Sequence, residues 1–287
     1  MDIINLLPEH IANQIAAGEV IQRPASVVKE TLENSIDSGA SEIQLIIKDA
    51  GKTLIQIIDN GCGMSNKDVE KCFLRHATSK IKKTNDLFAI QTMGFRGEAM
   101  ASIASISHVE LETKLHDKEL GTKIIVEGGN IKRKTEHNCK DGTSIKIKNI
   151  FFNIPARRKF LKSNNVEMRH IIEEFSRIAL SNPNCKMQLI HNEKELFYLE
   201  ENNFRQRIVS VIGLKNNEYL VPISENTDLV KIDGFICKPE YAKKSRGEQY
   251  IFVNKRYIKN YQIQSSISRA FEGLISEKYY PSYFINL

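Results

Sequence analysis

The stretch Asp59-Asn60-Gly61-Cys62-Gly63 directly follows the apolar segment Leu54–Ile58 and is the most informative part of this chain. The apolar segment predicts a strand that stops at the carboxylate. Asp59 can then accept a hydrogen bond from an exocyclic amine such as that of adenine, and the glycines let a flat ring approach the backbone. An ordinary Asp-Asn-Gly turn between two elements explains the same residues, so both interpretations stay open for this stretch alone.

A second glycine-rich stretch, Gly94-Phe95-Arg96-Gly97-Glu98-Ala99-Met100, precedes a segment of small residues that predicts a helix. Glycines at a helix start leave backbone N–H groups unhindered, and the positive end of the helix dipole favours phosphate. The chain contains no Gly-x-x-x-x-Gly-Lys-Ser/Thr segment, so a P-loop is excluded. A helix that is simply capped by glycine remains the alternative.

A third signal lies upstream, on a helix predicted over Pro24–Ser38, with proline in its first turn and Gly39 just past its end. Glu30 and Asn34 are four residues apart and share one face of this helix. Its apolar stripe (Val28, Leu32, Ile36) lies on the other side, which also fits a helix whose polar side faces water. Only the order of all three signals predicts a nucleotide pocket that hydrolyses what it binds.

Composition limits the classes of protein that need to be considered. The 287 residues carry a net charge of +6, which is compatible with nucleic acid as a partner. No apolar run approaches the length of a membrane span, and no basic segment opens the chain, so we expect a cytoplasmic protein without a membrane partner. The five cysteines lack a Cys-x-x-Cys pair and the seven histidines lack a His-x-x-x-His pair, which predicts reduced thiols and no protein-held transition metal.

The chain is longer than one typical domain, and polar runs at Glu200–Asn203 and Lys215–Glu218 indicate a boundary near residue 205. The polar segment 75–93 is long for a connection and predicts a lid or binding loop. The mixed order of elements predicts an α+β fold in each half. Besides the helix at Pro24–Ser38, we predict helices at Leu6–Val20, ending near Gly18, at Glu98–Ser105 and at Ile263–Ile275, a short helix from Ser65, and a basic pair of helices over Ala156–Leu180. We predict strands at Glu42–Lys48, Leu54–Ile58, Val109–Lys114, Lys123–Glu127, Ser144–Lys148, Tyr219–Ile223, Leu229–Cys237 and Tyr250–Val253.

The motifs Glu30…Asn34, Asp59-x-Gly-x-Gly63, Gly94-x-x-Gly97 and Asp141-Gly142-Thr143 resemble the four motifs of the GHKL ATPases. Within that superfamily the chain resembles the MutL family of mismatch repair proteins most closely, through the blocks at residues 13–20, 23–30, 75–80, 94–99 and 155–161. The resemblance implies a GHKL (Bergerat-type) α/β sandwich over residues 1–204, with an N-terminal dimerisation arm. An α+β domain like that of ribosomal protein S5 is implied over residues 205–287.

The resemblance also implies a role for each motif residue. Glu30 matches the general base that activates the attacking water, and Asn34 matches the ligand of Mg²⁺. Asp59 matches the adenine-reading aspartate, Thr143 the hydroxyl that supports it, and Gly63 lines the base. The segments implied to close over the triphosphate are Thr78, Ser79 and Lys80, followed by Gly94, Phe95, Arg96, Gly97, Glu98, Ala99 and Met100.

The implied function is a Mg²⁺-dependent ATPase that acts as an ATP-gated dimeric clamp in mismatch repair. ATP would order the helix around Ala16–Val20 against a second copy, and mismatch-recognition and downstream repair proteins would be its partners. In the family a later Val-His-Pro-type segment supplies a lysine to the γ-phosphate, and this sequence stops at Leu287 before it. We therefore expect an N-terminal fragment with an incomplete second domain. This fragment should bind nucleotide without reaching full ATPase activity.

Three basic clusters are candidate contacts to DNA phosphates, with a solvated basic face as the alternative. They comprise Arg157, Arg158, Lys159 and Lys162; Lys243, Lys244 and Arg246; and Lys255, Arg256 and Lys259. No base-reading motif is present, so binding should be independent of sequence and weakened by salt. A histidine kinase is disfavoured, because no histidine lies in a phosphoacceptor context. A nucleotide-binding DNA or partner scaffold with little or no turnover stays open.

Overall fold

The computed structural model describes residues 5, 8–81, 83, 92–94 and 96–287, which form eight helices and thirteen strands. The chain has two compact units, one of residues 1–175 with 185–198 and the other of residues 176–184 with 199–287. Along the chain, residues 176–184 belong to the second unit, residues 185–198 to the first, and residues from 199 onward to the second again. The sequence instead suggested a single boundary near residue 205. Both units combine helices with a sheet, as the predicted α+β class requires.

The first unit is built on an eight-stranded sheet in the order β5-β4-β3-β6-β2-β1-β7-β8. Neighbouring strands from β5 to β1 are antiparallel, and β1 pairs with β7 in parallel. The strands are β1 (Glu42–Lys48), β2 (Leu54–Asp59), β3 (His108–Lys114), β4 (Gly121–Glu127), β5 (Asn130–His137), β6 (Gly142–Lys148), β7 (Lys186–His191) and β8 (Lys194–Leu199). The helices are α1 (Glu9–Val20), α2 (Pro24–Asp37), α3 (Asp68–Lys71), α4 (Ala99–Ser105), α5 (Pro155–Phe160) and α6 (Asn164–Ser181), whose residues from 176 onward belong to the second unit.

Buried apolar side chains line both α2 and the sheet that it packs against. Alternate residues of β1 and β2 are buried, as the period of a half-buried strand predicts. On α2 the buried stripe includes Val28 and Leu32, both fully buried, while Glu30 and Asn34 on the other side are half-buried. Truncating Leu32 to alanine would cost about 2–5 kcal/mol because of the lost burial and the cavity left behind. This packing fixes the helix that carries the candidate site.

Residues at its two ends explain where α2 begins and where it stops. Pro24 occupies the first helical position, where its missing N–H costs nothing, and the chain leaves the helix at Gly39 with φ +77°. The predicted helix is confirmed within one residue. Strand β2 extends one residue further than predicted, so Asp59 is its last residue.

Helix α1 ends at Val20, the last residue of the predicted range and two residues beyond the expected stop near Gly18, and the predicted start at Leu6 lies outside the described residues. The guanidinium of Arg157 explains the difference. Its Nη1 donates to the carbonyl oxygens of Gly18 and Ile21 at 2.8 and 3.0 Å, which satisfies acceptors at the helix end. A Cβ at position 18 would lie 2.0 Å from Nη2, so a larger residue there would displace this guanidinium.

The second unit contains α7 (Phe204–Ile212), α8 (Tyr261–Ala270) and a five-stranded sheet in the order β12-β11-β13-β10-β9. Its core stacks Tyr250 on Phe284 with ring centroids 5.5 Å apart. The strands are β9 (Leu220–Asn226), β10 (Lys231–Cys237), β11 (Gln249–Val253), β12 (Arg256–Tyr257) and β13 (Tyr283–Asn286). Five strands of the two sheets, β5, β7, β8, β12 and β13, lack a sequence pattern that predicted them. In the described part of the chain, no helix has both the length and the apolar character needed to cross a bilayer.

Candidate nucleotide site

The site begins on one face of α2, where Glu30, Asn34 and Asp37 follow one another at intervals of four and three residues. The Glu30 side chain is 25% exposed, and its Oε1 lies 3.1 Å from Lys29 Nζ. Burial acts to lower the pKa of Lys29, but the carboxylates of Glu30 and Glu33 outweigh it, and the pKa is raised. Lys29 therefore stays protonated and forms an ion pair with Glu30.

Lys80 lies over the next turn of the same face. Its Nζ donates to Asn34 Oδ1 at 3.0 Å and to Asp37 Oδ2 at 2.5 Å. The Asp37 side chain is only 6% exposed, so the ammonium compensates a carboxylate that is largely shielded from water. Thr78 accepts a hydrogen bond from the Lys80 backbone N–H, which turns the segment back toward α2. Ser79 is exposed.

The glycine turn is held to α2 by the same carboxylate. Asp37 accepts hydrogen bonds from the backbone N–H groups of Met93 at 2.9 Å and Gly94 at 3.0 Å. Gly97 has φ +65°, and a Cβ there would lie 2.5 Å from the carbonyl oxygen of Ala77. Only glycine therefore allows residues 75–80 and the turn to pack this closely.

The turn leads into α4, which begins at Ala99 rather than at Glu98 as predicted. Glu98 pairs with His76 at 3.3 Å between Oε1 and Nδ1. Arg96 is exposed, and Ala99 and Met100 are half-buried in the first turn of the helix. Phe95 and part of the predicted lid, residues 82 and 84–91, lie outside the described residues.

Asp59 lies beside α2 at the other end of this arrangement and is 9% exposed. The Ser35 hydroxyl donates to Asp59 Oδ2 at 2.7 Å, and the Gly61 N–H donates to Oδ1 at 3.0 Å. Burial raises the pKa of Asp59, and hydrogen bonds from Ser35 and from the backbone of Gly61 and Thr143 act in the opposite direction. The side chain is thus a fixed acceptor at the end of a buried strand.

Thr143 is paired with Asp59 across β2 and β6. Its hydroxyl lies 3.1 Å from that of Thr113, a fully buried residue that donates to the carbonyl of Gly142 and accepts from the N–H of Met64. Gly63 has φ +68°, and a Cβ there would lie 2.1 Å from the carbonyl oxygen of Lys114. The glycine turn after Asp59 is therefore pressed against β3 and β6.

Residues 34 and 35 of α2 connect the two halves of the site, since Asn34 binds Lys80 and Ser35 binds Asp59. The structure thus brings Lys80, Gly94 and Asp59 into contact with the helix that carries Asn34. Thr143 adjoins Asp59 on the next strand, and Gly63 lies against β3 and β6. Sequence reasoning missed Ser35, Asp37 and Thr113. The spacing of positions 30, 34 and 37 was an available signal for Asp37, because it places three oxygen-bearing side chains on one face. Ser35 and Thr113 carry no comparable signal.

The oxygen pair of Asn34 and Asp37 fits a hard cation, because both oxygens already share one ammonium. Mg²⁺ is usually held by one or two protein oxygens together with phosphate and water. Among the residues that the structure describes, no cluster of three or more His, Cys, Asp or Glu side chains could hold a metal. These residues would hold Mg²⁺ only together with oxygens of a ligand.

Two surface hollows elsewhere do not include any predicted site residue. One, of about 320 Å³, lies between residues 239–242 and 274–279, and the other, of about 470 Å³, lies on the β4–β5 edge. Three residues of the basic clusters contact other parts of the protein. Arg157 donates a hydrogen bond to the carbonyl of Gly18 in α1, Lys243 Nζ lies 3.6 Å from Glu248, and Arg246 lies over the Tyr280 ring. The exposed basic residues include Arg158, Lys159, Lys244, Lys255, Arg256 and Lys259.

Comparison with known families gives matches to both parts of the chain. The family described as histidine kinase-, DNA gyrase B- and HSP90-like ATPase matches residues 22–154. The family described as DNA mismatch repair protein, C-terminal domain, matches residues 208–287. The first match covers the helix α2, the Asp59 turn, the glycine turn and Thr143.

Curated relatives and solved structures agree with these matches. DNA mismatch repair protein MutL of Christiangramia forsetii is 60% identical over 100% of this chain and 46% of its own length. MutL of Flavobacterium psychrophilum is 59% identical over 99% of this chain and 46% of its own length. This chain thus spans about half the length of these relatives.

Among solved structures, the ATPase domain of Aquifex aeolicus MutL complexed with ADP superposes with a TM-score of 0.71 at 27% identity, over 93% of both chains. The N-terminal domain of a DNA repair protein superposes with a TM-score of 0.82 at 26% identity, over 98% of this chain and 88% of that one. The predicted fold class, a GHKL-type ATPase sandwich followed by an α+β domain, is confirmed by these matches.

Proposed function

Because the chain belongs to the MutL family of DNA mismatch repair proteins, we propose that it binds ATP with Mg²⁺ and hydrolyses it to ADP and phosphate. The observation that carries this proposal is the position of α2. Asn34 faces Lys80 and the Gly94 turn, and the next residue, Ser35, holds Asp59. One rigid helix thus extends from an acceptor for the adenine amine to the donors for the phosphates.

In the proposed mechanism, Asp59 accepts the adenine amino group, while Thr143 and Gly63 line the base. The backbone N–H groups at the start of α4 and the lysine of the facing segment bind phosphate oxygens. Glu30 removes the proton from the attacking water. Bound Mg²⁺ would neutralise the phosphate charge, with Asn34 as its protein ligand. The residues assigned to phosphate binding are Thr78, Ser79, Lys80, Gly94, Phe95, Arg96, Gly97, Glu98, Ala99 and Met100.

A second candidate function is a scaffold that binds nucleotide without turnover. The ion pair of Glu30 with Lys29 favours it, because the ammonium occupies a carboxylate oxygen that a general base would offer to the attacking water. A single-turnover experiment with ATP and Mg²⁺ separates the two functions. Formation of ADP in one turnover supports the ATPase, and binding without ADP formation supports the scaffold.

The Glu30→Ala variant tests the assignment of the base. We expect it to keep ATP binding and to lose hydrolysis, with the loss being at least about a hundredfold. Glu42→Ala is the matched control, because Glu42 is an exposed carboxylate that pairs with Lys186 on the sheet. Undiminished turnover in Glu30→Ala would refute the role of Glu30.

At the level of the whole protein we propose an ATP-dependent homodimer in the cytoplasm that binds DNA without sequence preference and contacts mismatch-recognition and downstream repair proteins. The exposed basic residues support electrostatic contact with DNA phosphates. DNA affinity that does not change between low and physiological salt would contradict this part of the proposal.

A further inference from the structure

The Lys80 ammonium lies at the point where three chain segments meet. It contacts Asn34 Oδ1 and Asp37 Oδ2 on α2, and the Lys80 side chain is 18% exposed. The Gly94 turn approaches the same point, since a Cβ at position 94 would lie 3.4 Å from Lys80 Nζ and 3.6 Å from Asn34 Oδ1. The oxygen pair therefore lies in a confined space that already contains one positive charge.

The Asp37 carboxylate needs a positive partner there. It also accepts the N–H groups of Met93 and Gly94, but neutral donors do not cancel its charge. A shielded carboxylate without a cation would be strongly destabilising. The same two oxygens are the ligand type that Mg²⁺ prefers. An ammonium and a divalent cation cannot occupy this confined space together, because like charges at contact distance repel.

We propose that Lys80 is a placeholder cation, which occupies the oxygen pair of Asn34 and Asp37 in the nucleotide-free protein and leaves it when Mg²⁺ and nucleotide enter. The proposal rests on the proposed function. It adds Asp37 as the residue that links the exchange of cations to the position of the surrounding segments. Asp37 is a positioning residue, because it holds the Gly94 turn and the Lys80 segment to α2. Departure of Lys80 from α2 releases the ammonium for the phosphates and changes the position of residues 78–80.

This exchange links the cation site to the segment that covers it. A divalent cation that binds the oxygen pair competes with the Lys80 ammonium. By linkage, the free energy that holds Lys80 on α2 weakens binding of the divalent cation to the same extent. Removing the ammonium should therefore tighten binding of a divalent cation by about tenfold or more, which is the effect of one hydrogen bond to a charged group.

The test uses Mn²⁺ as a spectroscopic probe of the nucleotide-free protein, with binding followed by electron paramagnetic resonance. We expect weak binding in the wild-type protein and binding at least about tenfold tighter in Lys80→Met and in Lys80→Gln. The second variant keeps a neutral donor for Asn34 and Asp37, so it preserves a hydrogen bond to the oxygen pair although it removes the positive charge. Adding Asp37→Asn to Lys80→Gln should abolish the gain.

Lys52→Met is the matched control, because Lys52 donates to a backbone carbonyl, that of Lys162, at an exposed position. It should bind Mn²⁺ like the wild type. Wild-type affinity in both Lys80 variants, or a gain that survives Asp37→Asn, would overturn the placeholder role. The Mn²⁺ titration contains no nucleotide and is therefore independent of the ATP experiments. Absence of ATP binding or hydrolysis would contradict the proposed function, whereas only the Mn²⁺ affinities decide the placeholder role.

Discussion

The adenine-reading role of Asp59 gives the sharpest prediction, because the substitution Asp59→Asn changes charge and hydrogen bonding with almost no change of shape. The carboxylate accepts from Ser35 on one oxygen and from Gly61 on the other. An amide keeps a single acceptor oxygen and presents an NH₂ group on the other side. The adenine amino group would then face a donor instead of an acceptor.

The expected size of the effect follows from the burial of the site. Asp59 is 9% exposed, so water does not replace the lost acceptor. A hydrogen bond to a charged group contributes about 1.5–3 kcal/mol, which corresponds to about 10- to 150-fold in the dissociation constant. ATP binding should weaken by that factor. Purine riboside triphosphate, which lacks the amine, should be affected far less.

Calorimetric titration of both nucleotides against both proteins forms a cycle that isolates the amine–carboxylate contact. Asp141→Asn is the control, because Asp141 lies two residues before Thr143 but is exposed and pairs with Lys114 at 2.9 Å. It should bind both nucleotides like the wild type. An equal loss of both nucleotides in Asp59→Asn would refute the reasoning, since the variant would then act through the fold and not through the amine.

The same residue predicts a pH dependence of stability. Burial raises the pKa of Asp59 in the folded protein above the ordinary value of 3.8 for an aspartate. The folded state therefore binds the proton more tightly than the unfolded state, and this contribution to stability is lost as pH rises from about 3.8 through the folded pKa. Asp59→Asn removes the titration. The stability difference between wild type and variant should shift in favour of the variant across that window, and a shift of opposite sign in denaturant titrations would contradict the assignment.

Two further predictions concern backbone contacts around the site. A residue with a Cβ in the left-handed conformation costs about 1–2 kcal/mol. Gly63→Ala should destabilise the protein by more than this, because its Cβ would also lie 2.1 Å from the Lys114 carbonyl oxygen. Gly39→Ala, with a similar φ and nothing within 4 Å, should cost only that strain, and equal melting temperatures for the two variants would contradict the clash. Arg157→Ala should lose about 2 kcal/mol through its two carbonyl contacts, measured by denaturant unfolding. The exposed neighbour Arg158→Ala should stay within about 0.5 kcal/mol of the wild type, and comparable losses would refute the role of Arg157 at α1.

Local signals account for the parts of the site that the sequence predicted. Pro24 and Gly39 mark the ends of α2 through backbone restrictions that act within one turn. Asp59 is recognisable because an apolar strand stops at it, and Gly63 because a turn of two glycines follows. These features depend on neighbours in sequence, which is why they can be read without coordinates.

The unpredicted parts depend on partners that are distant in sequence. Asp37 gains its role from Lys80, 43 residues away, and from Gly94, 57 residues away. Arg157 looked like a phosphate contact because its neighbours are basic, yet its guanidinium binds Gly18, 139 residues away. The edge strand β5 is polar along most of its length and therefore lacks the alternation that identifies a strand.

The central position of β13 has a consequence for how the second unit acquires its structure. β13 pairs with β10 on one side and with β11 in parallel on the other, although both precede it in the chain. Those two strands have no sheet partner in common until residues 283–286 arrive, so assembly of this unit is governed by its most non-local pairing. Until that moment β10 and β11 present open edges to other chains, and the interval is a window for aggregation.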